Sequence, residues 1–322
     1  MQSNLLEYSV IEDLNKLPQV SGFLAMGNFD GVHLGHQVLI KKGKEEGDIS
    51  VLTYDPHPFI RINEIKEPFL LTTIREKIFF LKKYLVKEVI ILRFSPEISQ
   101  MCPEDFLKSI IKERMNPKGI IIGFDHHFGK GKKGDSEFLK KIGEDLGLRV
   151  FVVPPVRIGN KVVKSSKIRE FLRKGKMKSA CEMLGHPYLI EGKVTKGDEV
   201  GRTLGYPTAN LEIDSEYKLL PLEGVYSSIV ELGEENFPAM VYIGSSPTLG
   251  INRLKVEAHI FGFSKDIYGE RIRCFLYSLI RKKEFFSSEG SLRESIKKTE
   301  EETLKNLKEV YKWELPLGKN KN

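Results

Sequence analysis

The sequence predicts an α/β chain in two folded parts, the first built on a mainly parallel sheet and the second an antiparallel β-barrel or sandwich. Three observations carry this prediction. The chain has 322 residues, apolar runs alternate with amphipathic segments up to Val153, and strands with turn signals follow one another after Pro187. A chain of this length exceeds most single domains. Hydrophobic residues make up 40% of it, which is enough to fill real cores.

The first half alternates predicted strands with predicted helices. The strands are residues 22–26, 49–54, 88–94, 119–124 and 148–153, and the helices between them are residues 74–84, 103–115 and 136–146. Such alternation implies a parallel sheet covered by helices on both faces. Two more predicted helices, residues 166–174 and 177–184, end at Gly185 to Pro187, where glycine and proline stop a helix. We therefore place the domains at residues 1–185 and 186–322.

The second half changes to short strands with turn signals between them. The predicted strands are residues 188–194, 208–213, 224–232, 238–244, 255–263 and 270–280. This succession is typical of an antiparallel barrel or sandwich. One charged helical segment, residues 291–311, follows as a C-terminal helix.

Composition narrows the class of protein. The 51 basic and 44 acidic residues are interspersed, so the net charge of +7 describes a solvated surface rather than a nucleic-acid footprint. Three separated cysteines, Cys102, Cys181 and Cys274, indicate neither a zinc site nor a disulfide framework and favour a cytoplasmic location. The N-terminus does not read as a signal peptide, and no apolar run is long enough to span a bilayer, so we expect no membrane partner.

The stretch GNFDGVHLGH, Gly27 to His36, follows the first predicted strand. Ligands of doubly wound sheets bind where such loops lead into helix N-termini. Histidines at positions i and i+3 project from one side of a helical turn, so His33 and His36 are candidates to donate hydrogen bonds to phosphate oxygens. A zinc pair and a plain helix cap beside a tight turn are the alternatives; a catalytic triad lacks its GxSxG partner.

Four motifs in chain order carry a family resemblance: GNFDGVHLGH, TYDPHP, GFDHHFGKGKKGD and VVKSSKIRE. Together they resemble the prokaryotic FAD synthetase family, the bifunctional riboflavin kinase/FMN adenylyltransferases, whose first domain is a Rossmann-like nucleotidylyltransferase. The resemblance implies that residues of these motifs bind ATP phosphates, namely His33, His36, Asn28, Ser165, Ser166 and Arg169. It implies flavin or nucleotide contacts for Asp30, His57, Asp125 and Phe128.

Each of these flavin-site residues has a plain alternative where the residues alone are considered. Asp30 is suited to bracing the FDG turn, His57 lies between two prolines, and Phe128 is a candidate core residue. The sequence also departs from the family pattern. His126-His127 stands where an aromatic-arginine pair is common, and Lys167 replaces a frequent threonine.

A second group of motifs lies after Gly192. The glycine-rich stretch from Gly192 to Gly205 predicts a loop that folds over a nucleotide phosphate, although it is not a Walker A motif. Thr208 and Asn210 are two residues apart, so in a strand both oxygens would face one cation. Glu257 stands inside the apolar strand VEAHIF, where a carboxylate needs a partner or a purpose, unless it faces solvent at a barrel rim with His259.

The motifs PTAN, GVY, IGSSPT and VEAHIFGFSKDIYG resemble the riboflavin kinase module of the same family. The resemblance implies that Glu257 is the general base, that Thr208 and Asn210 place Mg²⁺ with ATP, and that Gly192 and Arg202 contact phosphate. Tyr242 departs from the family, which usually has asparagine before IG.

The resemblance therefore predicts an enzyme that phosphorylates riboflavin to FMN and joins FMN to AMP, forming FAD and pyrophosphate. Its expected cofactor is Mg²⁺, with ATP as co-substrate and riboflavin, FMN and FAD as flavin ligands. We expect a monomer or weak homo-oligomer that binds no nucleic acid. Two alternatives stay open: an aminoacyl-tRNA synthetase-like protein, because HLGH and KSSK are similar to the HIGH and KMSKS motifs, and a flavin-binding regulatory protein with a decayed site.

Overall fold

The chain divides into two compact units, Met1–Ser165 and Ser166–Asn322. A computed structural model describes residues 10–197, 205–245 and 254–310. Among these residues, the first unit holds a six-stranded parallel sheet in the order β1-β4-β3-β2-β5-β6. Its strands are β1 (Val10–Ile11), β2 (Phe23–Met26), β3 (Ile49–Asp55), β4 (Glu88–Arg93), β5 (Gly119–Gly123) and β6 (Arg149–Val153). A small hairpin of β7 (Arg157–Ile158) and β8 (Lys161–Val162) follows.

Helices connect the strands of the first unit, as the sequence predicts. They are α1 (Leu34–Glu46), α2 (Pro58–Ile62), α3 (Ile74–Lys83), α4 (Pro96–Gln100), α5 (Pro103–Asp105) and α6 (Ser136–Asp145). The helix predicted at 103–115 is confirmed, but only its start is α-helical, and Phe106–Met115 continues it as a π-helix. Its buried side chains are Phe106, Leu107, Ile110, Ile111 and Met115, a spacing of four to five positions that both an α-helix and a π-helix accommodate.

The strand order identifies where this sheet can bind a ligand. β2 lies between β3 and β5 in the sheet. After β2 the chain continues to β3 on one side, and it later returns to β5 on the other side of β2. The strand order therefore reverses at β2. In doubly wound sheets, ligands bind beyond the carboxyl ends of the strands at such a switch point. The loop from Gly27 to His33 leaves β2 there and leads into α1.

The second unit is built on a closed antiparallel barrel, which resolves the choice between barrel and sandwich. The described strands follow the order β10-β13-β12-β11-β14-β9 around the barrel. They are β9 (Tyr188–Thr195), β10 (Ala209–Glu212), β11 (Gly224–Leu232), β12 (Glu235–Ser245), β13 (Leu254–Ile260) and β14 (Arg271–Lys282). The long helix α9 (Glu289–Val310) packs on the outside of β11, β12 and β14.

Two helices precede the barrel, α7 (Ser165–Arg173) and α8 (Met177–Leu184). Both are tied to barrel-side residues: the Leu222 amide donates to the Leu172 carbonyl at 3.0 Å, and the Cys181 thiol contacts the Leu276 carbonyl at 3.6 Å. The compact units accordingly divide before α7 has completed its first turn, whereas the glycine and proline signal at 185 follows α8.

The three cysteines are free thiols; Cys102 is exposed, whereas Cys181 and Cys274 are buried. Burial raises the pKa of each buried thiol to about 12. Among the described helices, none is long and apolar enough to cross a membrane.

Candidate active sites

The loop after β2 has a backbone that only a specific environment can hold. Phe29 and Val32 have positive φ values of 48° and 39°, and Gly31 has a φ of 86°. Left-handed backbone in bulky residues costs of the order of 1–3 kcal/mol each and occurs preferentially at functional sites. Phe29 and Val32 are fully buried, so their side chains hold the strained loop in place. The three glycines of the motif are thus accompanied by two anchored apolar residues.

Asp30 braces this loop against the segment before α3. One of its carboxylate oxygens, Oδ1, accepts hydrogen bonds from the backbone amides of Leu71 at 2.8 Å and Thr72 at 3.1 Å. The Thr72 hydroxyl in turn accepts from the amide of Gly31 at 3.0 Å. These buried contacts favour the plain alternative for Asp30, a bracing role, over direct ligand contact.

His33 and His36 lie together at the start of α1. Their rings stack with centroids 3.7 Å apart and an interplanar angle of 14°. His33 is the N-cap residue, and its side chain makes no capping hydrogen bond, which disfavours the plain helix-cap alternative. Among the described residues there is no group of three side chains suited to hold a metal ion. The two imidazoles thus lie side by side at a helix N-terminus, the position at which the sequence predicts phosphate binding.

Electrostatics keep His36 neutral at physiological pH. Burial, first, and then the neighbouring His33 and Lys77 hold its pKa well below the ordinary value for histidine. Its Nδ1 is buried and has no hydrogen-bond partner among the described residues. A neutral imidazole keeps one N–H group, which can donate a hydrogen bond to a phosphate oxygen.

The second motif, TYDPHP, contributes Thr53 and His57. The Thr53 hydroxyl donates to the Asn28 carbonyl at 3.1 Å, which links β3 to the loop. His57 is buried and caps α2, with its Nδ1 accepting from the Phe59 amide at 3.1 Å. Its ring also packs edge-on against Phe69, with centroids 5.4 Å apart. His57 therefore stabilises the start of α2 through its hydrogen bond with the Phe59 amide. The exposed ring of Phe59 stacks on Phe69.

The third motif lies after β5. Asp125 is exposed, and its carboxylate lies 3.1 Å from the Lys164 ammonium group. Phe128 is buried in the hydrophobic core against Phe106 and Phe138, so the structure favours the packing alternative for this residue. The His126 ring stacks on Phe128, and burial lowers the pKa of His126 to about 4.

The fourth motif forms the start of α7. The Ser165 hydroxyl donates to the Asp30 carbonyl at 2.9 Å, so it contacts the loop backbone. Ser166 is exposed, and Arg169 is buried one turn further along the helix. Lys167, the departure from the family pattern, forms an ion pair with Glu170 at 2.6 Å. Its ammonium group is thus already engaged within the helix.

In the barrel, strand register brings the predicted kinase residues into one row. Glu257 on β13 is directly opposite Asn210 on β10 and directly opposite Tyr242 on β12. Residues opposite one another on adjacent strands project from the same face. Val256 and Ala258, the sequence neighbours of Glu257, are buried, whereas Glu257 is partly exposed. Glu257 therefore lies on the outer face of the barrel, between an amide and a phenol.

The glycine-rich segment differs from the prediction at its first residue. Gly192 lies inside β9, not in a loop, and the Glu212 carbonyl oxygen would be 2.7 Å from a Cβ at that position. Close strand packing thus accounts for this glycine. At Gly197, a Cβ would lie 1.9 Å from the side-chain nitrogen of Asn210, so the amide rests directly on the backbone. Arg202 lies outside the described residues.

His259 contacts the PTAN segment. The sequence had suggested only that this residue lies with Glu257 at the rim of the barrel. Nδ1 of His259 contacts the Pro207 carbonyl at 2.8 Å, so this nitrogen carries the proton. Thr208 immediately precedes β10, which begins at Ala209, one residue later than the predicted strand. The exposed outer-face position of His259, two residues after Glu257, was readable from the alternation of β13.

Tyr242 lies beside a charged cluster. The Glu223 carboxylate accepts from the Lys283 ammonium group at 2.9 Å and from the Ser245 amide at 3.0 Å. A Cβ at Gly244 would lie 2.2 Å from the Tyr242 hydroxyl, which shows that the ring runs along its own strand toward this cluster. Burial raises the pKa of Tyr242.

Lys77 lies next to the loop after β2 and is connected to it through Thr53. It was not among the site residues predicted from the sequence. It lies on α3, is 3% exposed, and donates from Nζ to the Thr53 hydroxyl at 3.1 Å. Burial lowers its pKa to about 8, although Asp30 and Asp55 act to raise it. Its position on the apolar face of α3, four residues before Leu81, was a signal available in the sequence.

The geometry defines a class of protein: a doubly wound domain with a stacked histidine pair at the start of a helix, followed by a six-stranded barrel with a carboxylate on its outer face. A protein-family model described as FAD synthetase matches residues 17–167 of this chain, and a second family model, described as riboflavin kinase, matches residues 184–307. The chain belongs to the bifunctional riboflavin kinase/FMN adenylyltransferase family.

Relatives cover most of the chain. A bifunctional riboflavin kinase/FMN adenylyltransferase of Buchnera aphidicola subsp. Schizaphis graminum is 36% identical over 298 residues, which is 89% of this chain and 94% of that protein. Its Escherichia coli (strain K12) namesake is 32% identical over 296 residues, 90% and 94% of the two chains. A crystal structure described as a macrolide-efflux protein from Streptococcus pneumoniae is 32% identical, with a TM-score of 0.82 over 92% of this chain and 98% of that one.

Proposed function

We propose that this chain makes FAD in two steps, phosphorylating riboflavin to FMN in the barrel unit and adenylylating FMN in the α/β unit. The observation that carries the proposal is that the two family models match successive parts of the chain, each containing one of the two candidate sites. The aminoacyl-tRNA synthetase-like alternative is not favoured by this family membership.

In the kinase step, a hydroxyl of the ribityl chain attacks the terminal phosphorus of ATP, and ADP leaves as the bond to the bridging oxygen breaks. We assign Glu257 as the base that accepts the hydroxyl proton, because its strand register directs it to the outer face beside Asn210. General bases contribute about 10²–10⁴-fold to such reactions. Asn210 and Thr208 supply neutral oxygens suited to Mg²⁺. In nucleotide sites this ion binds a few protein oxygens together with the phosphates, and it keeps several of its waters. Bound Mg²⁺ would neutralise charge on the transferred phosphoryl group.

The adenylylation step joins the FMN phosphate to the α-phosphorus of ATP and expels pyrophosphate. FMN already carries a nucleophilic oxygen, so the site's task is alignment and stabilisation of charge on the leaving group. We assign this task to His33 and His36, helped by the α1 N-terminus and by Asn28, Ser165, Ser166 and Arg169. We retain Asp125 as a flavin contact. We assign His57 and Phe128 to packing behind the flavin-binding residues, without direct contact to the flavin.

The proposal also sets the context of the chain. We keep the functional boundary at residue 185, with ATP, Mg²⁺ and flavins as the ligands, a cytoplasmic location, and a monomer or weak homo-oligomer that binds no nucleic acid. The remaining alternative is a flavin-binding regulatory protein with a decayed site. The departures at His126-His127, Lys167 and Tyr242 are its support, and conversion of riboflavin or FMN by the purified chain would exclude it.

The direct test is incubation of the full chain with riboflavin, ATP and Mg²⁺, followed by chromatographic separation of the flavins. We expect FMN to form first and FAD to follow. Supplying FMN in place of riboflavin tests the α/β unit by itself. Chelation of Mg²⁺ with EDTA should stop phosphorylation, and added Mg²⁺ should restore it. Unchanged riboflavin across metal and redox conditions would overturn the kinase assignment, and unchanged FMN would overturn the adenylyltransferase assignment.

A further inference from the structure

Lys77 is a buried cation whose position the reaction described above does not use. It lies on α3 among Ile78, Phe80 and Leu81, which are buried in the same unit. Removing an ammonium group from water costs several kcal/mol unless it gains compensating interactions. A lysine at this position therefore needs a partner that accounts for its burial.

The contacts of Lys77 lead to the candidate site in two steps. Its Nζ donates to the Thr53 hydroxyl at 3.1 Å, and that hydroxyl donates to the Asn28 carbonyl at 3.1 Å. A threonine hydroxyl has one proton, so once the proton points at Asn28, the oxygen lone pairs face Lys77. The ammonium group thus fixes the direction of the hydroxyl, and the hydroxyl fixes the loop.

The charges around Lys77 come from three other parts of the site. Asp30 in the loop and Asp55 at the end of β3 attract the positive charge of Lys77. That charge in turn lowers the pKa of His36 on α1. Asp30 is itself held by the amides of Leu71 and Thr72, just before α3. One cation therefore offsets two carboxylates at the edge of the sheet where the histidine loop begins.

We propose that Lys77 is a positioning residue for adenylyl transfer, which holds the loop Gly27–His33 through Thr53 and the Asn28 carbonyl. The inference rests on the proposed adenylyltransferase function of this unit. Lys77 acts at a distance: it orders the backbone that carries Asn28 and the histidines. Its loss should impair FMN adenylylation and leave riboflavin phosphorylation intact.

The test uses the full chain with Lys77→Met, Lys77→Arg, Thr53→Val and the double variant Lys77→Met/Thr53→Val. Lys82→Met is the matched control, because Lys82 is exposed on the same helix. FMN adenylylation, riboflavin phosphorylation and thermal unfolding are measured for each protein. Riboflavin phosphorylation reports whether the rest of the chain is folded.

We expect Lys77→Met to lower kcat/KM for FMN adenylylation by about 10²-fold, the size of effect that misplacing a binding group by about 1 Å can have. Lys77→Arg keeps the charge and donors and should recover at least about tenfold of that loss. Thr53→Val leaves the lysine in place but breaks the link. The double variant should be no worse than the poorer single variant, because both changes interrupt one chain of contacts.

Three results would overturn the inference. One is a folded Lys77→Met protein whose adenylylation stays within about twofold of the unmodified protein, with the lysine contact then being of structural use only. Another is independent, multiplying effects of the Lys77 and Thr53 changes. The third is Lys77→Arg no better than Lys77→Met. Failure of the unmodified chain to convert FMN would instead overturn the proposed function itself, so the two failures are distinguishable.

Discussion

His126 is a single residue whose protonation is coupled to folding. Its ring stacks on Phe128, and Nε2 is buried without a hydrogen-bond partner among the described residues. Burial, with a smaller effect of His127, lowers its pKa to about 4. The unfolded chain therefore binds a proton at this histidine more readily than the folded chain does. Stability that is complete above the unfolded pKa of about 6.5 is lost as the pH falls toward 4.

Replacing His126 by phenylalanine should remove this source of acid sensitivity. We expect the loss of unfolding free energy between pH 6.5 and pH 5 to be smaller in His126→Phe than in the unmodified protein, by on the order of 1–2 kcal/mol. Urea unfolding followed by fluorescence at both pH values measures the difference. His127→Phe is the control because His127 is exposed. Equal pH dependence in His126→Phe and the unmodified protein would contradict this account.

Single residues also show what sequence reasoning can reach. It selected His33 and His36, which the structure stacks together, and Glu257 and Asn210, which strand register places side by side. Lys77 was missed because its contact with Thr53 spans 24 positions of sequence and depends on how α3 packs on β3. A buried lysine on an apolar helix face is a signal that the search for histidines and carboxylates passes over.

At the scale of elements, the first turn of α1 offers a change that separates stability from activity. A Cβ on Gly35 would lie 3.1 Å from Cε1 and 3.2 Å from Nδ1 of His33, so an alanine would displace that ring by a few tenths of an ångström. Within a helix, alanine is more favourable than glycine by about 1 kcal/mol. Gly35→Ala therefore changes the histidine pair without weakening the helix.

We expect Gly35→Ala to unfold at the same temperature as the unmodified protein or higher, and to lose about tenfold or more in kcat/KM for FMN adenylylation because a displaced group binds poorly. Differential scanning calorimetry and an FMN-to-FAD assay on the same sample measure both. Lys41→Ala, exposed on the same helix, is the control. Full activity in Gly35→Ala would show that the position of the His33 ring is unimportant.

The elements themselves were largely readable from periodicity, and the exceptions have physical causes. Alternating apolar and polar positions gave the barrel strands, but β1 is only two residues long and carries no period. The π-helix escaped because helical spacing of Phe and Ile does not by itself distinguish i→i+4 from i→i+5 bonding. Gly192 was counted both in the predicted strand 188–194 and in the glycine-rich loop; the strand prediction is confirmed, and the glycine allows β10 to approach β9 closely.

The whole molecule consists of two compact units, each with its own strand framework and its own candidate site. The proposed adenylyl-transfer site depends on a loop at the switch point of a parallel sheet, and the proposed kinase site depends on register in a closed barrel. A change confined to one framework should therefore leave the chemistry of the other unaltered. We accordingly expect the two reactions to take place at separate sites.

The measurement that tests it most directly assays both reactions, side by side, in full-length Glu257→Gln and His36→Ala proteins, with Glu235→Gln on the exposed end of β12 as control. We predict that Glu257→Gln loses riboflavin phosphorylation by about 10²-fold or more, the usual contribution of a general base, and still converts FMN to FAD. His36→Ala should do the reverse. Loss of both activities from either single change, in protein that remains folded, would contradict two separate sites.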